Sequence, residues 1–150
     1  MRDLEAVTAL RLALLREESG NPLFAHPHPD ASARALRLTR TQLATPGQVM
    51  LVATRDDDIV GVLRCREVRR TPLVTGSRQA IVTTAYVIPG ARRGGVLRAL
   101  LAAADRWCRQ RRLSGMRLHC GLANAAGRQA WESLGFGAAE LLYVRSIPAD

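Results

Sequence analysis

Apolar side chains recur every three or four positions from Leu4 to Glu18, at Leu4, Val7, Leu10, Leu14 and Leu15, which is the stripe of an amphipathic helix. Gly20-Asn21-Pro22 ends it. Asn21 to Pro29 carries three prolines and two histidines and cannot be a regular element. Asp30 then caps a second helical run through Leu36 and Leu43, closed by Pro46-Gly47. Val49 to Thr54 and Ile59 to Val68 read as strands joined at Asp56-Asp57-Asp58, a hairpin by composition. A loop rich in turn formers, Thr71 to Arg78, leads to Ala80 to Ile88, β-branched and mostly apolar as a central strand should be. Pro89-Gly90 ends that strand. A glycine-arginine turn feeds a long helix with the apolar face Val96, Leu97, Leu100, Leu101, Ala104, Trp107 and Cys108, and Arg109, Arg111 and Arg112 suit its C-terminal dipole. A strand over Met116 to Leu122, a short helix opened by Asn124 and ended by Gly135, and a last strand over Glu140 to Ile147 complete the order α-α-β-β-β-α-β-α-β. This order predicts one α+β domain spanning residues 1–150, with a mixed, mainly antiparallel central sheet flanked by helices on both faces and no opening strand before the first helix.

Composition narrows the class. Hydrophobic residues make up 47% and charged residues 23% of 150 positions, near globular averages, which excludes disordered and low-complexity chains. The longest apolar stretches, Leu100 to Ala104 and Ile81 to Ile88, fall well short of the ~20 residues of a membrane span. The acidic start Asp3-Leu4-Glu5 lacks the apolar run of a secretory leader, so a cytoplasmic protein is expected. Cys65, Cys108 and Cys120 are odd in number and widely spaced, the pattern of reduced core residues. His26-Pro27-His28, with no cysteine or carboxylate to complete a ligand set nearby, predicts no metal site.

Charge adds one clue. All 22 basic residues are arginine, and the formal net charge is +9. Guanidinium groups grip phosphates in a forked geometry, so a nucleic acid or a phosphorylated cofactor would fit. At 4% aromatic residues the chain is poorly equipped to stack single strands, which makes nucleic acid the weaker partner.

The informative stretch runs from Val87-Ile88-Pro89-Gly90 through Ala91-Arg92-Arg93-Gly94-Gly95 to Val96-Leu97-Arg98. A strand ends, glycines let the backbone turn, and a helix begins at once, so its free N–H groups and dipole favour an anion. The glycine spacing fits neither a P-loop nor a dinucleotide fingerprint. From about Val49 onward the chain resembles the GNAT superfamily of acyl-CoA-dependent N-acyltransferases. Arg92 to Leu97 align with its R/Q-x-x-G-x-G/A turn, Val87-Ile88-Pro89 with its preceding Val-x-Pro, and Arg98 to Leu101 with its trailing Arg-Ala-Leu-Leu. Asn124 followed by Leu134-Gly135-Phe136 is similar to its N-x-x-A…G-F signature.

The resemblance implies acetyl-CoA as cosubstrate, with its pyrophosphate on the amides of Arg92, Arg93, Gly94, Gly95, Val96, Leu97 and Arg98, and with Asn124 near the cofactor. It implies that Val87 pairs with the pantetheine arm and places the thioester near Tyr86 and Val87, where the Val87 N–H can bind the thioester oxygen as an amine attacks. The implied reaction is acetyl transfer to a primary amine, small or peptidyl, by direct attack in a ternary complex. For the general base, Ala80 to Ile88 offers no carboxylate, which leaves Glu67 and His119, with Tyr86 at the cleft as a further candidate. The Pro-rich segment with Phe24 joins the two helices that wall the acceptor site in the family. Two residues depart from the family pattern. Leu97 stands where a small side chain is usual, and Trp131 stands where a tyrosine commonly protonates the leaving thiolate. These departures keep a CoA-binding module with little or no catalysis as an alternative, and the arginine-rich charge keeps a nucleic-acid binder as a third. A homodimer is compatible with all three.

Overall fold

The computed structural model describes residues 2–147. Two helices come first, α1 (Arg2–Glu17) and α2 (Ala31–Ala44), followed by β1 (Gln48–Arg55), β2 (Asp58–Arg69) and β3 (Arg78–Val87). A 3-10 turn, Pro89–Ala91, leads to α3 (Val96–Gln110), then β4 (Met116–Leu118) and α4 (Ala125–Ser133). The sheet order is β1-β2-β3-β4, antiparallel except for the parallel β3–β4 pair. The mixed α+β expectation holds, and no strand precedes α1 among the described residues.

The hairpin closes over two residues. Arg55 pairs with Asp58, and Asp56 and Asp57 both adopt positive φ, 50° and 67°, the geometry whose twist matches paired strands. The long β2 and β3 carry the core on both faces. Leu63, Cys65, Ala80 and Val82 pack against Leu100, Ala104 and Cys108 of α3, while Val62 and Tyr86 meet Val7 and Leu10 of α1 on the other face. Leu63 and Val62 are fully enclosed. Truncating a leucine so enclosed to alanine costs about 2–5 kcal/mol. Cys65 and Cys108 are buried as expected and Cys120 is half-buried; burial pushes the Cys65 thiol up to about 12.

One irregularity organises the rest. Arg64 pairs with Thr84 but Cys65 pairs with Val82, so Thr83 is an extra residue, a β-bulge in β3. Arg64 pins it: one guanidinium nitrogen donates to Thr83 Oγ1 at 2.6 Å and another to the Gln48 side chain. Because side chains alternate along a strand, the extra residue moves Tyr86 to the α1 face although Ala80 and Val82 face α3.

Two expected strands need correction. The fourth stops at Leu118 rather than Leu122, because pairing with β3 ends at Val82↔Leu118, where the bulge turns β3 away. Glu140 to Ile147 forms no strand. Leu141, Tyr143 and Ile147 are 68%, 86% and 88% exposed, and no sheet edge pairs with the segment among the described residues. Its β-propensity has no neighbour against which to act.

Candidate active site

The β3–β4 ladder holds only Ala80↔Met116, Ile81↔Arg117 and Val82↔Leu118, and beyond it the two chains part. Val60 and Ile88 stand opposite each other and share a hydrogen bond, the Ile88 N–H donating to the Val60 carbonyl at 3.0 Å. Adjacent pairs in an antiparallel ladder alternate between bonded and unbonded, so at Gly61↔Val87 the N–H and C=O of Val87 point away from β2, into the opening beside β4. Ala85, two residues back, presents its edge the same way.

The opening leads to the turn before α3. The Ala91 and Arg92 N–H groups bond back to Ile88 and Pro89, and the first regular bond of the helix is Ala99 N–H to Gly95 C=O. Between them, the N–H groups of Arg93 to Arg98 have no acceptor among the described residues. Arg93 and Gly95 adopt positive φ, 63° and 81°, and this bends six donors into one loop at a helix N-terminus, where the dipole adds positive potential. Arg55 lies against it, its Nη2 3.5 Å from where a Cβ on Gly94 would stand. Leu97 turns inward and packs between the clusters around Leu100 and Val87, leaving the loop's outer side clear.

Arg92 does not face that loop. Its Nε donates to the Val87 carbonyl at 2.8 Å, and its Nη2 reaches both oxygens of Glu17, each at 2.8 Å. Tyr86 donates its hydroxyl to Glu17 Oε1 at 2.7 Å, and the Arg92 guanidinium lies 5.3 Å from the Tyr86 ring centre. The Tyr86 hydrogen bond, with Arg92 beside it, holds the Glu17 carboxyl below its ordinary range; burial and Glu17 push the Tyr86 hydroxyl up, so it stays a neutral donor.

Asn124 is similarly committed. Its Oδ1 accepts from the Gly127 N–H at 2.8 Å, capping α4, and its Nδ2 donates to Glu18 Oε1 at 2.9 Å. A Cβ on Gly127 would lie 2.7 Å from that amide, so any larger residue there would force the capping side chain to shift. Glu18 also accepts from Asn21 at 3.3 Å. The last residue of α1 and the one after it therefore tie that helix to both walls of the opening, Glu17 to β3 and Glu18 to the start of α4.

A sequence model of the Acetyltransferase (GNAT) family matches residues 12–136, most of the chain and all of this site. The chain belongs to this family. Among curated proteins there is no match. Several solved structures share the GNAT fold. The apo aminoglycoside 6'-N-acetyltransferase AAC(6')-Ig from Acinetobacter haemolyticus is 25% identical, covers 82% of this chain and 86% of its own, and gives a TM-score of 0.70. AAC(6')-Iy in complex with a bisubstrate analogue, CoA-S-monomethyl-acetylneamine, is 21% identical over 99% of this chain and 94% of its own, with a TM-score of 0.77. A predicted acetyltransferase from Clostridium acetobutylicum, with acetyl-CoA, is 20% identical over 97% and 91%, with a TM-score of 0.77.

Within this GNAT domain the residues singled out from sequence fall into two groups. Val87, Tyr86, Arg92, Arg93, Gly94, Gly95, Val96, Leu97 and Arg98 lie together at the C-terminal end of β3 and the turn beyond it. Glu67 does not join them. It stands opposite Ala80, seven residues up β3 from Val87 and so roughly 23 Å away along the strand, and its carboxylate is held by Arg78 and Arg111. Those two guanidiniums hold its pKa down, the opposite of a poised base. His119 is exposed, directly after β4. Trp131 makes an edge-to-face contact with Phe136, ring centres 5.3 Å apart, while Phe136 N–H bonds to Trp131 C=O and Gly135 N–H to Glu132 C=O. This is a Schellman cap with its hydrophobic contact, and it accounts for the Leu134-Gly135-Phe136 signature as the end of α4. Glu17, Glu18 and Arg55 were not anticipated. Long-range contacts bring them in, and only the doubled carboxylate at the end of α1 hinted at a role.

Proposed function

We propose that the protein is an N-acetyltransferase, one domain over residues 1–150, that moves the acetyl group of acetyl-CoA to a primary amine by direct attack in a ternary complex. The observation that carries the reading is the continuity of two backbone edges that the sheet leaves open, Ala85 and Val87 on β3, where the Val87 carbonyl is met by Arg92 Nε, and the six N–H groups from Arg93 to Arg98, which have no acceptor among the described residues. A chain of alternating amides ending in a pyrophosphate is complementary to both. The cosubstrate is acetyl-CoA, with its pyrophosphate on the turn, Arg55, Arg93 and Arg98 close by, and its pantetheine amides along Ala85 and Val87.

In this pose the Val87 N–H donates to the thioester oxygen, where negative charge grows as the amine nitrogen adds to the carbonyl carbon. Collapse breaks the C–S bond, the nitrogen loses a proton, and the thiolate gains one. Trp131 supplies no proton, since an indole N–H is far too weak an acid to protonate a thiolate. The Tyr86 hydroxyl and solvent are the remaining sources. The acceptor enters from the face of the sheet that Tyr86 shares with α1, because CoA occupies the edge.

The absence of a tyrosine at position 131 favours one other reading, a module that binds CoA without transferring its acyl group. Acetyl-CoA titration followed by thermal melting, then free-thiol release over an amine panel, separates the two. A raised melting temperature together with amine-dependent thiol release supports the transferase. Stabilisation with no release from any amine supports the module, and no stabilisation refutes both.

A further inference from the structure

The mechanism above leaves Glu17 without a task. Its carboxylate lies at the end of α1, on the acceptor face, and is 45% exposed. Among the described residues two groups touch it, the Tyr86 hydroxyl and the Arg92 guanidinium. Glu18, its neighbour, is bound to the amides of Asn21 and Asn124, and Glu67 is held by two arginines at the other end of the sheet. Arg92 spans from Val87 to Glu17, so the carboxylate stands one guanidinium's width from the backbone group at the reaction centre.

That guanidinium also occupies the Val87 carbonyl, which a pantetheine N–H needs. In the proposed pose, seating the arm of CoA draws Arg92 away from Val87 and Glu17, with the CoA phosphates as its alternative anion. Glu17 then keeps Tyr86 and loses its cation. Its ionised state, favoured by the Tyr86 hydrogen bond, makes it a fixed negative charge in a chain of net charge +9.

We propose that Glu17 is the acceptor-recognition residue, binding a second cationic group of the acceptor at the place Arg92 now fills, so that the preferred acceptors are diamines and larger polycationic amines. This rests on the acetyltransferase reading for the word acceptor, but the binding event stands without it. The reacting amine must be uncharged to attack, so the cation at Glu17 is a different nitrogen of the same molecule. Occupancy by CoA and by the diamine is coupled through Arg92, since each removes what blocks the other.

The test is calorimetric titration of putrescine, with butylamine as the control of equal chain length and one charge, into the protein saturated with CoA. Wild type is expected to bind putrescine about tenfold or more tightly than butylamine. Glu17→Gln should lose that preference, and Glu17→Asp should recover part of it. The affinity of Glu17→Gln for CoA should equal or exceed that of wild type, because Arg92 is no longer retained; a merely structural Glu17 would lower it. Arg92→Gln should bind putrescine without CoA as wild type does with it. Equal affinities for putrescine and butylamine in wild type, or a preference that survives in folded Glu17→Gln, overturns the proposal. Thiol release with amines but no Glu17-dependent preference overturns this inference alone. Glu17-dependent diamine binding without thiol release overturns the transferase reading alone.

Discussion

Gly94 and Gly95 adjoin in sequence and differ in what a side chain would meet, which isolates the role of the turn. At Gly94 the backbone is ordinary, and a Cβ would lie 3.5 Å from Arg55 Nη2 and 3.6 Å from the Ala91 carbonyl, normal contact with the protein's own atoms. At Gly95 φ is +81° and a Cβ meets nothing within 4 Å, because it points into the open side of the loop. Gly94→Ala should therefore fold normally and bind CoA within about threefold of wild type, under roughly 0.7 kcal/mol. Gly95→Val carries two penalties. Left-handed backbone costs an L-residue about 1–2 kcal/mol, which in a domain of this size lowers the melting temperature by about 2–8 °C. On the proposed pose its methyls also stand where the pyrophosphate approaches the six N–H groups, and losing even part of that cradle should weaken CoA about a hundredfold, roughly 2.7 kcal/mol. Melting curves measure the first penalty and calorimetric titration of CoA the second. A folded Gly95→Val with wild-type CoA affinity would refute the assignment of the turn, whatever its melting temperature.

Three further outcomes follow from local geometry. Arg112 sits at φ 54° in the Schellman cap that ends α3, with Leu113 N–H bonded to Cys108 C=O, so Arg112→Gly should relieve strain and raise stability by about 0.5–1 kcal/mol in denaturant melts. Asn124→Ala should cost about 1 kcal/mol or more, since it removes the cap on Gly127 N–H and the link to Glu18; fraying of α4 by amide hydrogen exchange is the check. Glu17 titrates below its ordinary range because of the Tyr86 hydroxyl first and Arg92 second. A depressed carboxyl stabilises the fold above its unfolded pKa and loses that contribution as pH falls through the folded one, so the acid limb of the stability curve should flatten in Tyr86→Phe, and an NMR titration of Glu17 should move back towards the ordinary carboxylate range.

The elements that local chemistry specifies were legible from sequence, and those that depend on a distant partner were not. The hairpin at Asp56-Asp57, the break at Pro89-Gly90 and the caps at Asn124 and Gly135 each act within a few residues, and all are found where the sequence puts them. Glu140 to Ile147 has strand composition, yet a strand is a pairing, and none is made among the described residues. The turn was recognisable because its glycines and arginines are contiguous. Its electrostatics were not. Arg92 matches a family position by sequence but donates to Glu17, 75 residues away, and Asn124 donates to Glu18, 106 residues away. The opposite charge that captures a guanidinium is a tertiary fact, and no spacing rule along one strand reveals it.

The orientation of Val87 turns on the same distinction. Ala80 to Ile88 is almost continuously apolar, so alternation within it cannot say which residues face α1, which face α3, or which backbone groups bond to β2. Thr83 decides all three. With no extra residue, Val87 would be in phase with Ile81, whose N–H lies one position out of phase with the Ala80 N–H that bonds to Gly115 on the β4 side. Val87 would then give its N–H to β2, and the backbone groups of Tyr86 and Ile88 would face the opening beside β4 in its place. The bulge shifts the phase, and Arg64, reaching across from β2 to the Thr83 hydroxyl, holds it. An arginine enclosed in the sheet with no carboxylate partner among the described residues is a costly placement. Its position is intelligible as the pin that keeps the Val87 N–H turned into the opening beside β4, so the geometry that the proposed acyl transfer would use is set by a residue outside that opening.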